Sequence, residues 1–207
     1  MEPTPAPGWH VVVPVKGGPG AKSRLRHSLD DAGVVAAVAH DTLAAAARVV
    51  GPGRVVVVTA EPGETAYARA AGHVVVDDPG SGLDDACRAG VGAAHDLGAT
   101  RVAVLLGDHP ALAPGELETT LVAGEGHPTF FVADAEGTGT ALVGTTTGGE
   151  LALAFGPGSA ARHEALGHVP LEVEAPGLRH DVDDEDSLRW ALAHLTLGPR
   201  TRGALER

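Results

Sequence analysis

Hydrophobic positions along this chain fall into two alternating patterns: short unbroken runs of β-branched residues, and stripes at helical spacing. Val11-Val12-Val13-Pro14-Val15 is apolar without interruption, which reads as a buried strand. Val34, Val35, Val38, Leu43 and Ala46 line one face of a helix that Asp30 or Asp31 can cap and that runs to about Val50. Gly51-Pro52-Gly53 stops it, and Val55 to Thr59 forms a second buried strand. A short helix over Glu61 to Ala71 and a strand over His73 to Val76 follow. Ser81, with Asp84 three residues on, predicts the cap of a helix reaching about Asp96. Arg101 to Leu106 is a fourth strand, and Pro114 sits in the first turn of the next helix. Further strands are expected over Pro128 to Ala133 and Val169 to Val173, with helices ending at Gly167 and spanning Ser187 to Leu195. Strands that alternate with helices predict a single α/β domain, with a mostly parallel central sheet covered by helices on both faces. Residues 1–8 and the polar tail 198–207 are expected to be loosely ordered.

Composition narrows the function. The length of 207 residues suits one domain, and aromatics are only 3% of it, so the core must be built from Val, Leu and Ala. A formal charge of -12 argues against a nucleic-acid binder, which needs a basic face, but leaves room for one nucleotide in a local basic pocket. Cys87 is the only cysteine, so no intramolecular disulfide or zinc-cysteine cluster can form, and it is expected to pack in a helix. No uncharged apolar run approaches ~20 residues and the start lacks a signal-peptide pattern. The expectation is a cytoplasmic protein with no membrane partner.

Three places carry chemistry. The first is the break after the opening strand, Gly17-Gly18-Pro19-Gly20, flanked by Lys16, Lys22, Ser23 and Arg24. Glycines let the backbone approach a polyphosphate, amides point inward and cations offset its charge. The spacing is neither a P-loop nor a dinucleotide fingerprint, since Ala21 precedes Lys22-Ser23. The second is Gly107-Asp108-His109-Pro110, just past a buried strand, where open α/β sheets place their ligands. A carboxylate there can hold a divalent cation on phosphates, or serve as a turn residue. His109 is read as a partly exposed loop residue. The third is Asp181-Val182-Asp183: in an extended segment the two carboxylates point to one side and can grip one metal or a pair, whereas Asp184 to Asp186 cap and open a helix. The alternative is that the whole acidic run is a solvated helix start.

Pro14-Val15-Lys16 followed by Ala21-Lys22-Ser23-Arg24-Leu25 resembles the N-terminal signature of the 2-phospho-L-lactate and phosphoenolpyruvate guanylyltransferases of coenzyme F(420) biosynthesis. Gly82-Leu83, Asp134-x-x-Gly137-Thr138-Gly139-Thr140, Phe155-Gly156-x-x-Ser159 and Asp181-x-Asp183 are similar to the later motifs of that family, in its order. Asp84 stands where the family carries asparagine, and His109 where it carries leucine. The resemblance implies a Rossmann-like nucleotidyltransferase domain that moves GMP from GTP to phosphoenolpyruvate or 2-phospho-L-lactate and releases pyrophosphate. It implies catalytic roles for Lys22 and Asp108, and nucleotide contacts from Pro14, Lys16, Lys22, Arg24, Gly82, Leu83 and Asp84. Thr140, Gly156 and Ser159 would seat the acceptor, Arg162 and His163 could add charge to its pocket, and Asp108, Asp181 and Asp183 would hold Mg2+. Asp84 is equally readable as a helix cap, and Ser159 as a cap that also donates to the acceptor. A monomer or homodimer is expected. Another nucleotidyltransferase, or a non-catalytic nucleotide binder on the same fold, is the alternative.

Overall fold

A computed structural model describes residues 8–16 and 32–206. The glycine loop, with Lys22, Ser23 and Arg24, lies outside the described residues, as do the expected caps Asp30 and Asp31. Seven strands form one sheet: β1 (Trp9–Pro14), β2 (Val55–Thr59), β3 (Val74–Asp77), β4 (Arg101–Leu105), β5 (Thr129–Ala133), β6 (Thr140–Thr145) and β7 (Val169–Pro170). Their order is β3-β2-β1-β4-β6-β5-β7, and β6 alone among the described strands runs antiparallel to its neighbours. The connections are α1 (Ala32–Val50), α2 (Pro62–Ala70), α3 (Leu83–Asp96), α4 (Pro114–Gly124) and α5 (Ser159–Ala165). The last part of the chain adds α6 (Pro176–Arg179), α7 (Glu185–His194) and α8 (Pro199–Leu205).

The unbroken valine runs are explained by the two covered faces of the sheet. Along β1, Val11, Val13 and Val15 face the cluster that holds Leu43, Ala46 and Val50 of α1 and Leu117 and Leu121 of α4. Val12 faces the other way, onto Ala86, Cys87, Val91 and Ala94 of α3. On β2, Val55 and Val57 take the first face, Val56 and Val58 the second. A third cluster joins Val34 and Val38 of α1 to Ala111, Val182, Leu188 and Leu197. Helix α1 is long and apolar enough to cross a membrane by composition, yet most of its Gly33–Val50 span is buried against the rest of the protein.

Three expectations are corrected and one strand is added. The stretch Thr140–Thr145 is a fully buried strand, β6, that the sequence reading did not bound. The strand expected over Val169 to Val173 shortens to Val169–Pro170 at the sheet edge, with one further bond from the Leu171 N–H to the Phe131 carbonyl at 2.9 Å. Ser81 does not cap α3: Gly82 does, at φ +120°, with no side-chain bond. The tail is ordered as α8. Asp41, buried in the middle of α1, accepts the Arg200 and Thr201 backbone N–H groups at 3.2 and 2.8 Å, and the Thr201 hydroxyl at 2.8 Å.

Candidate active site

Chain direction reverses its walk across the sheet between β1 and β4. From β1 the chain moves outward to β2 and β3, then returns to place β4 on the other side. Both strands are parallel and in register, Val12 opposite Val104, so their carboxyl ends open side by side into one crevice. Pro14, Val15 and Lys16 enter it from β1, Gly107 and Asp108 from β4, and Leu83 from the start of α3. Gly107 lets the two strand ends sit close: a Cβ there would lie 3.1 Å from the Pro14 carbonyl oxygen.

Asp181 and Asp183 reach the crevice from a remote part of the chain. The Val182 N–H donates to the Asp108 carbonyl oxygen at 2.9 Å, which fixes the 181–183 segment alongside the end of β4. The Val182 side chain is fully buried among Val34, Val38, Ala111 and Leu188. Extended backbone then turns its two neighbours to the opposite side. As a result carboxylate oxygens of Asp108, Asp181 and Asp183 lie within 4.8 Å of one another. Asp184 stays out of the cluster and caps α7, accepting from the Ser187 N–H at 2.9 Å. An all-oxygen anionic donor set of this kind suits a hard divalent cation, Mg2+ or Mn2+, over softer metals.

His109 is 1% exposed, which corrects its reading as an exposed loop residue. Its backbone N–H donates to the Thr42 hydroxyl of α1 at 3.1 Å, pinning the loop after β4 to that helix. Cys87 is buried in α3, and burial pushes its thiol up to about 12, so it is no nucleophile at neutral pH.

The residues expected at the acceptor lie together on the far side of the crevice. Leu106 N–H bonds to the Ala141 carbonyl at 3.4 Å, so the neighbouring Thr140 stands level with Gly107. The Ser159 hydroxyl donates to Thr140 Oγ1 at 3.0 Å, and Gly156 accepts the Ser159 N–H at 3.0 Å. Asp84 Oδ1 accepts the Phe155 N–H at 2.9 Å, which ties the start of α3 to this loop. Sequence reasoning missed two organisers here and gave a third the wrong role. Asp134 accepts the Thr138 and Gly139 N–H groups at 3.0 and 2.8 Å, so two amides of the glycine-threonine segment are already engaged. Arg179 donates to the Ala133 and Asp134 carbonyls, both at 3.1 Å, joining this turn to the arm that carries Asp181. His163, wholly buried, bonds Thr140 Oγ1 at 2.9 Å. Asp134 and Arg179 stood inside quoted stretches without a role, whereas His163, expected to add charge to the acceptor pocket, is held neutral by burial.

No protein-family model matches the chain. Among solved structures it is similar to a nucleotidyl transferase from Methanothermobacter, with a TM-score of 0.59 at 20% identity over 89% of this chain and 97% of that one. It is also similar to a Mycobacterium tuberculosis protein solved in complex with manganese, with a TM-score of 0.50 at 23% identity over 91% and 100% of the two chains. These likenesses bear on the fold. Phosphoenolpyruvate guanylyltransferase of Geodermatophilus obscurus is 46% identical over 95% of this chain and 94% of that protein. The enzyme of the same name from Streptomyces scabiei is 44% identical over 96% of each. Identity at this level along nearly the full length of both partners, on top of a carboxylate-lined crevice at the β1–β4 switch point, means that the chain belongs to the phosphoenolpyruvate guanylyltransferase family.

Proposed function

We propose that this protein transfers GMP from GTP to phosphoenolpyruvate and releases pyrophosphate, in the cytoplasm and as a step of coenzyme F(420) biosynthesis. The observation that carries the reading is the meeting of Asp108, Asp181 and Asp183 within 4.8 Å at the crevice that also holds Lys16. The 44–46% identical relatives that bear this activity in their names support the choice of reaction.

An acceptor phosphate oxygen attacks the α-phosphorus of GTP in line. The new O–P bond forms as the bond from the α-phosphorus to the bridging oxygen breaks, and pyrophosphate leaves with that electron pair. Both reactants are anions, so the protein's work is alignment and charge neutralisation. Lys16, with Lys22 and Arg24 of the loop outside the described residues, would hold the triphosphate. Pro14, Gly82 and Leu83 would border the nucleoside, and Asp84 would accept from the base through the oxygen not bonded to Phe155. Thr140, Gly156 and Ser159 would seat the phosphate and carboxylate of the acceptor. Asp108, Asp181 and Asp183 would hold Mg2+, which when bound stabilises charge on the attacking and leaving oxygens.

Pyrophosphate release tests the reading, with each of the four nucleoside triphosphates offered beside phosphoenolpyruvate and 2-phospho-L-lactate. Release confined to GTP plus phosphoenolpyruvate is the expected result. Release with a different nucleotide, or with neither acceptor, overturns it.

A further inference from the structure

The Thr140–Ser159 pair has a hydrogen-bond polarity that can be worked out atom by atom. Both hydroxyls are buried, and His163 beside them is wholly so. The Ala154 backbone N–H points at His163 Nε2 at 3.0 Å. A backbone N–H can only donate, so Nε2 carries no proton and accepts. The proton of the neutral ring therefore sits on Nδ1 and is donated to Thr140 Oγ1 at 2.9 Å. Burial chiefly, with His168 and Arg162 adding to it, lowers the imidazole pKa to about 4, in keeping with a neutral ring. The ring packs edge-on against Phe155 at 5.2 Å and His168 at 5.6 Å between centroids.

Hydrogen counting completes the argument. Nδ1–H and the two hydroxyls supply three hydrogens. The His163–Thr140 contact uses one, and the Thr140–Ser159 contact, 3.0 Å long, uses a second. One hydroxyl hydrogen remains, and neither hydroxyl has another acceptor among the described residues. A buried donor left over in this way calls for an oxygen acceptor, which a bound ligand or an ordered water can supply.

We propose that His163 is a positioning residue: it locks the Thr140–Ser159 pair so that one hydroxyl hydrogen is left to donate, which favours an anionic oxygen of the acceptor there. The proposal rests on the acceptor reading given above. With Nε2 protonated instead, the ring would clash with the Ala154 N–H and Thr140 would have to donate inward, leaving the pair unable to take an anion.

Two measurements test this. NMR of the whole protein labelled with 15N-histidine is expected to show His163 protonated at Nδ1 and bare at Nε2 at neutral pH; a proton on Nε2 overturns the proposal. Steady-state kinetics then compare His163→Leu, which cannot donate, with His163→Asn, whose amide can still reach Thr140. The leucine variant is expected to raise KM for phosphoenolpyruvate about tenfold or more with KM for GTP nearly unchanged, and asparagine to recover most of the loss. Equal rises in both KM values, with no rescue, mean a merely structural role and overturn the proposal. Thr140→Val separates the two levels. If it leaves KM for phosphoenolpyruvate unchanged, the acceptor reading itself falls and takes this inference with it. If it raises that KM while His163→Leu does not, only the inference falls.

Discussion

Replacing Asp181 with asparagine removes one charge from the carboxylate cluster with almost no change of shape. At 4.8 Å or less, each pair of carboxylates repels by about 0.9 kcal/mol in bulk water and about 3.5 kcal/mol at the effective dielectric of a protein surface. Asp183 is exposed and the other two half-buried, so the water-like figure applies and the three pairs together hold about 3 kcal/mol for a divalent cation to relieve. The substitution abolishes two of those three pairs and leaves a neutral amide oxygen in place of a charged ligand. Magnesium at a hundred times its dissociation constant stabilises the protein that binds it by about 2.7 kcal/mol, about 5–10 °C in Tm for a domain of this size. Differential scanning calorimetry in chelator and in magnesium therefore gives a direct readout. The parent should show the rise in Tm, and Asp181→Asn less than a quarter of it. Loss of the charged clamp should also lower kcat/KM about 100- to 1000-fold, the equivalent of ~3–4 kcal/mol. An unchanged magnesium shift in the variant, with activity intact, would refute the assignment of this cluster as the metal site.

Other consequences are equally concrete. Asp41→Ala strips two α8 amides and the Thr201 hydroxyl of their acceptor, so hydrogen exchange over 199–205 should quicken by about tenfold to a hundredfold, a local cost of about 1–3 kcal/mol. Stability should fall as pH drops from 6.5 towards 4, because an unfolded His163 protonates near 6.5 and the folded one only near 4, so the unfolded state binds more protons in that window. His10 and His168, both lowered mainly by burial, push the same way, and urea melts across this range measure the sum. With its thiol held near 12, Cys87 should resist iodoacetamide in the native protein at neutral pH and react once the chain is unfolded, as followed by mass spectrometry.

Much of the sheet was legible because its signal is local. The valine run of β2 was bounded at Val55 and Thr59 from the sequence alone, since glycine and proline punctuate its near end and a helix pattern follows. The Asp181 and Asp183 pair was legible for the same reason: period-two geometry needs only an extended backbone, and Val182 supplies the anchor that keeps it extended. What escaped depends on partners far along the chain. Thr140 opens a strand because β4 and β5 flank it, and not because of its own glycine-rich approach. The polar tail folds because of one buried carboxylate, Asp41, some 160 positions earlier. His109 is buried because the loop after β4 is drawn down onto α1, and a loop histidine carries no mark of that in its neighbours. His163 was placed at the acceptor pocket from the sequence, but as a charge; that burial keeps it neutral depends on contacts made in space.

The most direct test is the identity of the product. Mass spectrometry of a reaction holding GTP, magnesium and phosphoenolpyruvate should show enolpyruvyl diphosphoguanosine and one equivalent of pyrophosphate, with both forming about 100- to 1000-fold more slowly in Asp181→Asn. Contradiction would be a guanylylated product that forms as readily in the Asp181→Asn protein, or no such product with phosphoenolpyruvate at all.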